Sequence, residues 1–105
     1  MLFGLPDIAV QKLQQVFENN ERVSQVWLYG SRATGKQKAA SDIDLCIEGA
    51  DLSLTDLHSF ENKIEGLYLP WKVDLSLKHQ IDNPALIQHI ENAGISFFSS
   101  RKVNS

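Results

Sequence analysis

The chain has 105 residues and a mass of 11.8 kDa, enough for one hydrophobic core. A single domain is expected over residues 1–98, with a flexible polar tail over 99–105. Hydrophobic residues at 43% and charged residues at 22% exclude a disordered chain, and a net charge of −3 with a pI near 5.5 argues against a module that grips nucleic acid unaided. No apolar run approaches a membrane span or a signal segment, and the one cysteine, Cys46, has no partner for an internal disulfide, so a cytoplasmic location is expected.

Residues 6–18 place Ile8, Val10, Leu13, Val16 and Phe17 at helical spacing, which predicts a first helix ending at Asn19-Asn20. Residues 23–29, rich in β-branched and aromatic side chains, predict a strand. Gly30-Ser31 closes it, and the polar stretch 32–41 has room only for a turn or a short helix. Residues 42–48 alternate Asp42, Asp44 and Cys46 on one face with Ile43, Leu45 and Ile47 on the other, a second strand. Residues 52–65 form a helix whose buried side is Leu57, Phe60, Ile64 and Leu67, with Gly66 as its stop. Pro70 opens a third strand over 71–77, as Pro is tolerated at a strand's first position. Asn83 caps a last helix with Pro84 in its first position, Ile87 and Ile90 inward and Gly94 at its end; residues 95–98 suggest a short extra strand. The expected fold class is α/β (α+β), a small mixed three-stranded sheet with flanking helices in the order α-β-β-α-β-α. Its first two strands are antiparallel neighbours, and the second and third are parallel through a helix.

The strongest chemical signal is the pair Asp42 and Asp44. Aspartate is disfavoured in strands, and two on one face repel each other. Asp74 adds a third acid on the next strand, opposite Val73, Leu75 and Leu77. Neighbouring strands lie about 4.8 Å apart, so the three carboxylates can converge. Such a cluster calls for a cation, and hard oxygens favour Mg²⁺ or Mn²⁺ over Zn²⁺. The alternative is a solvated sheet face on which the acids share no role. Gly30-Ser31, after a strand and before a helical turn, offers N–H groups and a hydroxyl where phosphate can sit. Residues Gly30 to Lys36 also fit the first seven positions of a P-loop, but the eighth is Gln37 where Ser or Thr should ligate Mg²⁺, and no long helix follows. His58, His79 and His89 lack ligand-spaced partners and read as surface or half-buried residues. Cys46 reads as packing, and Trp27, Tyr29 and Trp71 as core or rim.

Gly30-Ser31, ten further residues, Asp42-Ile43-Asp44 and a later strand with Asp74 form a pattern that resembles the polymerase-β-like nucleotidyltransferase superfamily. The closer resemblance is to its smallest members, the minimal nucleotidyltransferases. Their Gly-Ser-Arg-Ala-x-Gly and Ser-Asp-Ile-Asp-Leu motifs stand here as Gly30-Ser31-Arg32-Ala33-Thr34-Gly35 and Ser41-Asp42-Ile43-Asp44-Leu45, and Val73-Asp74-Leu75 matches the third acid. The resemblance covers nearly the whole chain. It implies the nucleotidyltransferase fold, with Asp42, Asp44 and Asp74 as metal-binding and catalytic acids, Asp74 serving as metal ligand, base or both. It also implies that Ser31 and the Gly30 backbone hold the nucleotide's terminal phosphates, assisted by Arg32 and Lys36. The cofactor implied is Mg²⁺, two ions per active site, with Mn²⁺ as a substitute.

The same resemblance implies ATP or another nucleoside triphosphate as substrate and a small helical HEPN-type protein as partner in a hetero-oligomer. The expected activity is Mg²⁺-dependent transfer of AMP to a hydroxyl of that partner, which makes the chain the antitoxin of a toxin–antitoxin pair. The alternative is a non-catalytic antitoxin that neutralises its partner by occlusion. Nucleotidyl transfer to a small molecule is the least favoured reading, since no acceptor-binding region is visible. Base selectivity is expected to be poor or borrowed, with the acceptor docking from outside.

Overall fold

Apolar side chains alternating along three consecutive strands dictate the architecture. In the computed structural model, which describes residues 2–100, helix α1 (Asp7–Glu18) leads into strand β1 (Val23–Tyr29). A single helical turn, α2 (Ser31–Thr34), precedes β2 (Ile43–Gly49), and α3 (Leu54–Glu65) connects it to β3 (Val73–Leu77). A 3₁₀ turn (Lys78–Gln80), α4 (Pro84–Ala93) and β4 (Ile95–Ser99) follow.

The strands form one sheet in the order β3-β2-β1-β4. β1 and β2 are antiparallel and β2 and β3 parallel, as the connections predict. The sheet is four-stranded, which corrects the three-stranded expectation. Residues 95–99 pair antiparallel with the free edge of β1, and Ser99, assigned from the sequence to the tail, sits opposite Gln25. Ser100 donates its N–H to the Ser24 carbonyl at 3.0 Å. The remainder of the expected tail, 101–105, lies outside the described residues.

One face of the sheet carries Val26 and Leu28, Ile43, Leu45 and Ile47, and Leu75 and Leu77. They are buried with Val10, Leu13 and Phe17 of α1 and with Phe60 and Ile64 of α3. Burying each such side chain contributes about 1.5–3 kcal/mol, so this layer is the main source of stability. Ile8 does not join it: at 59% exposure it faces solvent, and Ala9, one position on, takes its place in the buried stripe with Val10, Leu13, Val16 and Phe17. α3 starts from a reciprocal cap in which Ser53 accepts from the Asp56 N–H while the Asp56 carboxylate accepts from the Ser53 N–H. The opposite face carries Trp27, Tyr29, Asp44, Cys46, Glu48, Asp74 and Ser76. α4 covers part of it through Ile90 and Leu86, packed with Tyr29 and Cys46, and leaves the acidic end of the sheet open.

Candidate active site

The site is built where β1 ends and β2 begins. Strand pairing places Tyr29 opposite Asp44, and Asp44 beside Asp74 in the parallel register, so the three form one row across β1, β2 and β3. The next row is Trp27, Cys46 and Ser76. Asp42 lies just outside β2, exposed, two residues before Asp44 and on the same side of the extended chain.

Gly30 makes the bend from β1 into α2 with φ +77° and ψ −154°, a conformation that is essentially Gly-only. Its missing side chain matters as much as its torsions. A Cβ there would lie 2.5 Å from Asp44 Oδ2, so the carboxylate occupies the space directly over the Gly30 Cα. The Gly-Ser bend and the central acid are therefore in contact. Burial, then the charges of Asp74 and Asp42, push the Asp44 carboxyl above its ordinary range, against a smaller opposing effect of Lys72. That ordering identifies a carboxylate whose neighbours favour a proton or a cation.

Ser31 is the first residue of α2 and is half-buried, and Lys36 is exposed beyond the helical turn. Arg32 has a different occupation from the phosphate contact expected of it. It is 3% exposed, and its guanidinium donates to the carbonyls of Phe3 at 2.9 Å, Ser41 at 2.8 Å and Ala39 at 3.3 Å. It also lies 5.9 Å from the Trp71 ring centre, and the Trp71 indole N–H donates to the Ala39 carbonyl at 2.8 Å. Arg32 thus ties the 39–41 loop, which delivers the chain to Asp42, onto the N-terminal segment.

Among the described residues, no group of three or more His, Cys, Asp or Glu side chains is gathered so as to hold a metal ion by itself. The donors that are present still fit Mg²⁺. They are hard carboxylate oxygens, two of them on adjacent residues of one row, and Asp44 is electrostatically short of positive charge. Mg²⁺ is usually held by one or two carboxylates, with water and substrate phosphates completing the shell.

A family model described as Polymerase beta, Nucleotidyltransferase matches residues 11–103. The chain belongs to this nucleotidyltransferase family. Two Methanocaldococcus jannaschii proteins, each named "Putative protein adenylyltransferase", are 35% and 34% identical to it over 83 residues, covering 78% of this chain and 84% of their own. A chain in a crystal structure of a toxin–antitoxin pair with AMP-PNP superposes with a TM-score of 0.69 at 24% identity, covering 92% of this chain and 76% of that one. A structure of a tri-AMPylated Shewanella oneidensis HEPN toxin with its MNT antitoxin gives 0.66 at 20% identity, with coverages of 90% and 72%. At these identities the likeness to solved structures is one of fold.

Three further side chains of this nucleotidyltransferase belong to the site's surroundings. Tyr29 is buried beside Asp44; burial and the charges of Asp44 and Asp74 push its phenol up, while the Ser76 side chain pulls it down. Cys46 is fully buried and its thiol is pushed up to about 11, mainly by burial, which disfavours the thiolate. His89, assigned from the sequence to a surface or half-buried position, is half-buried in α4 and reaches the bend itself: its Nε2 accepts from the Gly30 N–H at 3.1 Å. No motif spacing announces that contact, because it joins positions 59 residues apart.

Proposed function

We propose that this nucleotidyltransferase moves AMP from ATP, in a Mg²⁺-dependent reaction, to a hydroxyl of a small helical HEPN-type protein and thereby acts as that protein's antitoxin. Support comes from relatives named as protein adenylyltransferases and from the likeness in fold to chains of toxin–antitoxin complexes. The observation that carries the reading is the contact between the Gly30 bend and the Asp44 carboxylate, with Asp74 next in the row. It joins a place for phosphates to a place for cations.

The roles follow from charge and position. Asp42, Asp44 and Asp74 would hold Mg²⁺, which when bound neutralises the triphosphate and eases ionisation of the acceptor hydroxyl. Ser31 offers its hydroxyl, and the N–H groups that open α2 offer donors, to the terminal phosphates. Lys36, exposed nearby, adds positive charge for the leaving pyrophosphate. The acceptor oxygen attacks the α-phosphorus, the bond to the bridging oxygen breaks, pyrophosphate departs, and Asp74 takes the hydroxyl proton. Asp74 is exposed, so a docked protein side chain can reach it. Among the described residues no helix is long and apolar enough to cross a membrane. A cytoplasmic setting, with ATP at hand and the lone Cys46 buried, suits this chemistry.

The test is incubation with Mg²⁺, ATP labelled at the α-phosphate and the protein encoded by the neighbouring gene. Label on that protein, none with γ-labelled ATP, and loss of labelling on chelation are expected. A tight complex without label would overturn the catalytic reading in favour of occlusion.

A further inference from the structure

The start of α2 poses a local problem. The N–H of the residue that opens a helix needs an acceptor, and in a capping box a Glu or Gln three positions on reaches back to supply one. α3 follows that rule through Asp56 and Ser53. α2 cannot, because the residue that caps it, just before Ser31, is Gly30 and the third position on is Ala33. The acceptor comes from α4 instead, as His89 Nε2 at 3.1 Å from the Gly30 nitrogen. The imidazole is itself seated edge-on against Tyr29, with ring centres 6.2 Å apart and planes at 78°. Accepting an N–H uses the lone pair on Nε2.

This contact falls on the peptide against which the Asp44 carboxylate is seated. Gly30 has the widest conformational freedom of any residue type, yet the site needs it fixed at φ +77° with its Cα under Asp44. We infer that His89 is a positioning residue for nucleotidyl transfer: it pins the Gly30 peptide from α4, so that Ser31 and the opening N–H groups of α2 face the nucleotide's terminal phosphates while Asp44 keeps its seat. The inference rests on the nucleotide-binding reading of the bend. It also changes the donor set, because the Gly30 N–H is engaged by His89 and the phosphates meet the N–H groups of Ser31 and Arg32.

The experiment compares His89→Ala, His89→Gln and Leu86→Ala. Gln carries an amide oxygen to about the place of Nε2, and Leu86, on the same helix, packs against the cluster of Tyr29, Cys46 and Ile90. Three quantities are read: the Gly30 amide resonance, the affinity for Mg²⁺ with AMP-PNP, and the thermal midpoint. His89→Ala is expected to move the Gly30 amide resonance upfield and to weaken AMP-PNP binding about three- to tenfold, the equivalent of one hydrogen bond. His89→Gln should restore both, whereas Leu86→Ala should lower the midpoint and leave affinity unchanged. Unchanged or tighter binding in His89→Ala would overturn the assignment, tighter binding meaning that the imidazole competes with phosphate. A loss in His89→Ala matched by an equal loss in Leu86→Ala would overturn it too, by reducing it to packing. If the wild-type protein binds no AMP-PNP with Mg²⁺, the functional reading falls and the inference with it; if only the His89 variants depart from expectation, the functional reading stands.

Discussion

The N-terminus of α3 and the Gly30 bend each seat a carboxylate against the backbone, and they surround it with opposite company. Asp56 accepts from the Ser53 N–H at 2.9 Å and from the Ser53 hydroxyl at 3.1 Å, and it pairs with Arg22. The Ser53 N–H above all, then the Ser53 hydroxyl and Arg22, holds its carboxyl below the usual range despite burial. Asp44 is acted on by burial and by two other acids, with no hydrogen bond among the causes, and its carboxyl lies above that range. The fold supplies the first acid with donors and a cation and sets the second among other acids. A carboxylate supplied with donors and one set among other acids are thus distinguishable by what their neighbours lack.

The largest effect that would sharpen this contrast is Asp44→Asn. AMP transfer should fall by about a thousandfold or more, since several kcal/mol of charge stabilisation is lost. Metal-free stability should stay equal or rise, because the substitution removes a charge the site disfavours. Labelling assays and thermal unfolding with chelator check the two halves, and a large drop in stability would break the contrast. Gly30→Ala comes next: the strained torsions cost about 1–3 kcal/mol and the new Cβ evicts the Asp44 carboxylate, so stability and transfer should fall together. Ser53→Ala should cost about 1 kcal/mol in denaturant unfolding and leave transfer unchanged.

The smallest effect is a pair of opposite pH slopes in chelator. Asp44 has a raised folded pKa, so its destabilisation is fully present above that pKa and fades as pH falls to the ordinary carboxylate range. The advantage of Asp44→Asn over wild type should therefore shrink on acidification. Asp56 has a lowered folded pKa, so its contribution is present above the ordinary range and is lost as pH falls through the lowered value. The deficit of Asp56→Asn should shrink over that lower window. Slopes of the same sign would show that the two acids are not treated differently.

The acids were legible in the sequence because strand periodicity is a local rule. Ile43, Leu45 and Ile47 must face the core, which turns Asp44 outward, and the crossover through α3 makes β3 parallel and sets Asp74 beside it. The bend was legible because Gly30-Ser31 stops β1 at the edge of a polar stretch. What could not be read depends on contacts between distant positions. β4 joins the sheet by pairing with β1 across some seventy residues, and its sequence does not say which edge it takes. Arg32 stands where a phosphate ligand is expected, but the carbonyls of Phe3, Ala39 and Ser41 converge on it only in the fold. His89 looks like any half-buried helical histidine until α4 is laid against the end of β1.

The most direct measurement is the thermal shift that Mg²⁺ and AMP-PNP produce in the wild-type protein and in Asp44→Asn. If Asp44 belongs to the set that holds the cation beside the Gly30 bend, the wild-type midpoint rises with ligand concentration and the variant's does not, though its ligand-free midpoint is equal or higher. An equal rise in both would contradict that placement.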